Sequence, residues 1–155
     1  MKKNFLIFAM LLAAVVVSAP ASFGQGAVRT GPDESVVRDA ELEKDSLHNL
    51  TVARHYFKLK KAYVAALKRC EEIDSANPNF AKMDEVLYIA GLSSLRLAES
   101  KGKQKSTKNA DDLRLDARVY LSRLVAGFPN SDFAKNAEAE LKALGGAIQP
   151  EGSKQ

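Results

Sequence analysis

The sequence predicts an all-α chain of about five amphipathic helices paired as hairpins. Three observations carry this. From Asp33 to Leu144, apolar residues recur at steps of three and four, and no stretch alternates as a half-buried strand does. Ala, Leu, Lys and Glu are plentiful, while aromatic residues make up 7% of the chain and tryptophan is absent, a composition that favours helix. Short breaker clusters, Asn77-Pro78-Asn79 and Gly127-Phe128-Pro129-Asn130-Ser131, separate the periodic segments at lengths suited to helical hairpins.

The N-terminus reads as an export signal rather than as part of this fold. Lys2 and Lys3 precede Phe5 to Val17, an uninterrupted apolar run of 13 residues. Such a run spans about 20 Å as a helix, short of the hydrocarbon core of a bilayer. Ala19-Pro20-Ala21 offers small residues for cleavage after Ala21, with Gly24 as a second site. The expected organisation is a signal peptide over 1–21, a flexible lead over 22–32, a helical domain over 33–144 and a disordered tail over 145–155. Cleavage removes two lysines and no acid, so the net charge falls from +4 to +2. That is too small for a phosphate-backbone binder, which needs a concentrated basic face, so no nucleic-acid partner is expected. The single cysteine, Cys70, excludes a disulfide framework and a zinc site built from several cysteines, and it lies far from where a lipid-acceptor cysteine would follow the apolar run.

The first helix is expected from about Glu34 to Leu59, with Leu47, Leu50, Ala53 and Phe57 on its apolar face. The second, from about Ala62 to Ser75, aligns Tyr63, Ala66, Leu67, Cys70 and Ile73 and ends before Pro78. The third, from about Ala81 to Glu99, aligns Met83, Val86, Leu87, Ala90 and Leu97, with Gly102 as a stop. The fourth, from about Asp111 to Ala126, aligns Leu113, Ala117, Tyr120, Leu121, Leu124 and Val125. Gly127 is its expected glycine cap, and Pro129 its breaker. Asp111 and Asp112 suit its N-terminus through the helix dipole. The fifth carries Phe133, Ala137, Leu141 and Leu144 and closes at Gly145-Gly146.

Two of these segments share one layout. Ala66 precedes Pro78, and Ala117 precedes Pro129, by the same interval, which is the second-helix spacing of a tetratricopeptide repeat. In the first unit Leu50, Ala53 and Phe57 take first-helix packing positions, and Ala66, Cys70 and Ile73 those of the second. Arg54 stands where the repeat prefers glycine, so a looser helix contact is expected there. In the second unit Leu87, Ala90 and Gly91 are followed by Ala117, Leu121, Leu124 and Pro129, with an insertion around Ser100 to Ala110. The fifth helix reads as a half-repeat that caps the stack.

The segment HNLTVARHYFKLKKAYVAALKRCEEI, His48 to Ile73, resembles the first repeat of the BamD-like family of outer-membrane β-barrel assembly factors, with its "VARFY" and "AYxAAxxRxxxI" wording. The segment RVYLSRLVAGFPNSDFAKNAEAEL, Arg118 to Leu141, resembles the family's "LxxLxxxFPNSxxAxxAxxxL". The resemblance implies a short tetratricopeptide-like solenoid acting as a periplasmic, non-catalytic scaffold. Its partner would be a protein or peptide, the β-barrel assembly machinery being the candidate, and it would meet the membrane only through that partner. Family members usually carry a lipid-site cysteine and about five repeats, whereas this chain shows two and a half. Related Tol–Pal-type repeat proteins that coordinate the cell envelope or division use similar wording. Their N-terminal coiled coils need heptads that Val36, Val37, Ala40, Leu42 and Leu47 do not sustain.

Projecting the repeat places His48, Thr51, His55 and Lys58 on the concave face from the first unit, and Glu85, Tyr88, Leu92, Leu95 and Arg96 from the second. This face is the expected partner-binding surface. No catalytic residue, cofactor or metal site is expected, since the chain has no Gly-rich phosphate loop or nucleophile arrangement. The competing reading is a small envelope metal carrier built on His48, His55 and Cys70. The two histidines are seven residues apart and about 10 Å apart along one helix, too far for one ion without a third element. Lys101, Lys103, Lys105 and Lys108 fall in the insertion and read as a solvated, flexible basic tab.

Overall fold

The structure, a computed structural model, describes residues 39–148. The export signal, the lead and the tail beyond 148 lie outside the described residues. Five α-helices follow one another: α1 (Ala40–His55), α2 (Tyr63–Ala76), α3 (Met83–Ala98), α4 (Ala110–Gly127) and α5 (Ala134–Ala143). A π-helical turn, Tyr56–Lys60, prolongs α1. Among the described residues there is no strand. Each helix packs on the next in sequence and α1 also touches α3, so the fold is all-α and tetratricopeptide-like, as the spacing predicts.

Leu50 and Ala53 on α1, Ala66, Cys70 and Ile73 on α2, and Leu87 and Ala90 on α3 are buried in one continuous core. The core continues through Leu121 and Leu124 of α4 to Ala137 and Leu141 of α5. Ala117 is fully buried as well. Phe57 and Tyr63 meet edge to face with ring centroids 5.5 Å apart, closing the top of the first hairpin. Pro78 and Pro129 are exposed in the turns, where they stop helices rather than pack.

Both proline turns are tied back to a preceding helix. Asn77 donates from Nδ2 to Ser46 Oγ at 3.2 Å, and Ser131 donates from Oγ to Asp84 Oδ2 at 2.6 Å. The Asn of "NP" and the Ser of "FPNS" therefore hold neighbouring helices in register as well as ending one. Arg123 reaches Asp74 with two hydrogen bonds of 2.7 Å, joining α4 to α2. Asn109 caps α4 by accepting from Asp112 N–H at 2.9 Å, while Asp112 Oδ2 accepts from Asn109 Nδ2 at 2.8 Å. This reciprocal cap satisfies an orphan donor where the dipole favours the acid.

Several local expectations are corrected. Leu47 is 45% exposed, because α1 buries the narrower stripe of Ser46, Leu50 and Ala53. Thr51, one turn on, shares the exposed side and donates to Leu47 O at 2.9 Å. Gly127 remains helical and the cap falls on Phe128, at φ −135°. The left-handed residue ending α3 is Ser100, at φ 55°, and Gly102 lies beyond it in the loop at φ 99°. Gly145 and Gly146 do close α5 in left-handed conformations, with Gly146 N–H donating to Leu141 O at 2.7 Å.

Candidate partner-binding face

The first helices of the repeats, α1 and α3, carry the residues projected onto the concave face. On α1, His48, Thr51 and His55 are exposed, and Lys58 is exposed in the π-helical turn that follows. The i, i+3, i+7 spacing of the first three puts them on one side of the helix.

On α3 the arrangement is more closed. Glu85 is half-buried and receives Arg54 from α1, with Nε to Oε1 at 2.6 Å and Nη2 to Oε2 at 2.5 Å. This bidentate pair raises the Arg54 pKa, chiefly through the hydrogen bond to Glu85. Rather than leaving a gap at the repeat's glycine position, the long side chain runs across to the neighbouring first helix. Tyr88 stacks on Phe133 beside α5, centroids 5.0 Å apart and planes 27° apart. Burial, with the negative charge of Glu140, raises the Tyr88 pKa. Leu92 and Leu95 are each 7% exposed, although they sit outside the contiguous core cluster. Arg96 donates to Glu99 at 3.1 Å.

Neither the Arg54–Glu85 pair nor the Tyr88–Phe133 stack was visible in the repeat spacing. Each joins residues far apart in the chain, and no local pattern announces such a partner. The projected face is therefore an open polar strip on α1 and a strip on α3 whose charged groups are already engaged.

Cys70 is buried on α2. Burial, helped by the carboxylates of Glu71, Glu85 and Asp74, pushes its thiol up to about 12. It is a packing residue with almost no thiolate at neutral pH. The sign of the linkage is definite. The folded state holds this proton above pH 9.0, the ordinary value, where the unfolded chain releases it. Wild type should therefore lose stability between pH 9 and 12, by up to about 1.4 kcal/mol per pH unit from this group. The Cys70→Ala variant should show a shallower loss in urea titrations over the same window, and an identical slope would refute the assignment. His48 and His55 are on the outside of α1, and among the described residues no three His, Cys, Asp or Glu side chains are grouped to hold a metal ion. No helix among the described residues is long and apolar enough to cross a membrane.

Helical hairpins packed one on the next in sequence define the class as a tetratricopeptide-like helical-repeat protein. Within that class, residues 73–148 match the model of the YfiO family, described as outer membrane lipoprotein. The match runs from the C-terminal part of α2 through α5, just under half of the chain. It includes the "FPNS" turn and excludes most of the first hairpin. Comparison with curated proteins and with solved structures gave no significant match.

Proposed function

We propose that this chain is an exported, non-catalytic repeat scaffold that binds a protein or peptide partner in outer-membrane β-barrel protein assembly. The observation that carries the proposal is the YfiO match across α3, α4 and α5. The exposed strip of His48, Thr51 and His55 supports it, because first-helix faces of helical repeats are extended binding surfaces. The scaffold works in the periplasm, at the periphery of the outer membrane, after loss of its signal peptide. Docking is the whole mechanism: the partner lies along α1 and α3 and is held by polar contacts to the strip, with Lys58 at its edge.

In-cell photocrosslinking tests this. A crosslinking residue at Thr51 or His55 should capture a component of the barrel-assembly machinery or one of its substrates. The same residue at Leu115, exposed on α4, should capture neither. Adducts at Leu115 alone, or an envelope pulldown that recovers no barrel-assembly component, would overturn the proposal.

A further inference from the structure

The turn after α1 carries an exposed apolar side chain, Leu59, that neither the repeat packing nor the concave face uses. The π-helical turn Tyr56–Lys60 ends at Lys61, in the left-handed region at φ 52°, and Ala62 N–H closes it onto Tyr56 O at 3.0 Å. Tyr56 and Phe57 turn inward and pack against the core. Leu59 turns outward and is 73% exposed, between exposed Lys58 and Lys60.

The α3–α4 loop is drawn onto this turn. At Gly102, a side chain's first carbon would lie 2.7 Å from Lys61 O and 2.7 Å from the Tyr63 ring, so only glycine permits the approach. Lys103 N–H donates to Lys61 O at 3.4 Å, and Gln104 Oε1 accepts from Ala65 N–H at 3.3 Å. The insertion is exposed, as the sequence implies, but it is fastened to the first hairpin instead of standing free.

Two basic clusters some forty residues apart in sequence thus share one end of the fold. Most of the carboxylates close by are already engaged, and Glu71 adds negative charge near Lys108. Glu99 holds Lys101 and Arg96, Asp116 holds Lys108, Asp111 holds Arg114, and Asp112 is part of the α4 cap. Lys60, Lys61, Lys103 and Lys105 have no carboxylate partner among the described residues. An exposed leucine flanked by lysines, on a turn that a second lysine-bearing loop is fastened to, matches the chemistry of an anionic bilayer surface, where amines meet phosphates and an apolar side chain enters the headgroup–acyl boundary. An acidic peptide would satisfy the lysines but leaves Leu59 without a role.

We propose that this end, the α1–α2 turn with the α3–α4 loop, docks directly on anionic phospholipid headgroups, with Leu59 as the inserting residue. The membrane contact is then made by this chain itself, in addition to any made through a partner.

The absence of tryptophan provides the test. In the full chain, Leu59→Trp places a single reporter at the tip, and Leu115→Trp places a control on α4. Vesicles of phosphatidylcholine doped with phosphatidylglycerol should shift the Leu59→Trp emission to shorter wavelength. Vesicles of phosphatidylcholine alone should not, and the control should stay unshifted with both. Because the apolar N-terminal run can bind either vesicle, the readout is the position-specific shift rather than bulk binding. The shift should fade at high salt, since headgroup attraction is screened. Adding Lys60→Ala, Lys103→Ala and Lys105→Ala to the reporter chain should raise the lipid needed for half-maximal shift about tenfold or more. No shift at position 59, equal shifts at 59 and 115, or a shift indifferent to phosphatidylglycerol would overturn the proposal. None of these outcomes bears on the crosslinking test, which reads the strip on α1.

Discussion

Replacing Ala66 with glutamate is expected to abolish cooperative folding of the domain. Ala66 is 0% exposed on α2, within the core that joins the first hairpin to α3. A methyl group fits there, whereas a carboxylate would lose its hydration among the apolar side chains of the core. An unpaired buried charge costs several kcal/mol, on the order of 3–5 when a partner is missing. A domain of this size has only about 5–15 kcal/mol of stability to lose. Circular dichroism should show a shallow, non-cooperative melt for Ala66→Glu. Ala66→Ser should keep a sharp transition, because a hydroxyl can bond back to the helix. A sharp melt for Ala66→Glu at the wild-type temperature would show that the α2 stripe is not the core of this hairpin.

Enlarging Gly91 is the second large effect, and its cause can be isolated. Gly91 lies in the middle of α3, where alanine would ordinarily stabilise a helix by about 1 kcal/mol. Here a methyl group would lie 2.7 Å from both Leu121 Cδ2 and Leu121 Cγ of α4, and 3.5 Å from Ala117 O. Leu121 is itself fully buried, so its branch point cannot swing into open space. Overpacking of this kind costs about 1–3 kcal/mol, enough to cancel the helix gain, and Gly91→Val should cost more than Gly91→Ala. The Leu121→Ala variant alone should lose about 2–5 kcal/mol through the cavity it leaves. In that background Gly91→Ala should become neutral or stabilising. Urea unfolding of the four chains in the cycle gives the coupling. Additive effects would show that α3 and α4 do not meet at Gly91.

Gly91 also shows why much of the fold could be read in advance. Its place in the repeat, with Leu87 and Ala90 before it and Ala117 and Leu121 beyond the insertion, predicted close approach of two helices. The structure puts Gly91 against Leu121 across that insertion. The buried stripes of α2 and α4 were legible for the same reason: several helical turns repeat one face, and the period is local. At α1 the expected stripe is too wide at Leu47, because among the described residues this helix packs mainly on α2 and only lightly on α3, and so buries fewer of its apolar residues. The caps were legible in kind but not in position. Gly127 and Gly102 mark breaks, yet Phe128 and Ser100 make the actual helix ends.

The candidate site was less legible than the fold. His48, Thr51 and His55 could be assigned to one side of α1 from spacing alone. The state of the α3 strip depends on partners from other helices: Arg54 for Glu85 and Phe133 for Tyr88. Leu92 and Leu95 read as apolar contact residues in the sequence, and their near-complete burial is a property of the folded chain.

The sequence by itself determined the number of helices among the described residues, most of the faces they bury and the hairpin order, because all three follow from periodicity and breakers within a few turns of chain. Only the tertiary structure decided which side chains meet across helices and which turns converge at one end. Those depend on the axial offset and rotation of packed helices, which no local pattern encodes. The lysines are the clearest instance. As letters they are two separate basic runs, and the second reads as a loose tab. Folding sets one against the other through Gly102 and Lys61, with Leu59 left exposed in the first of them.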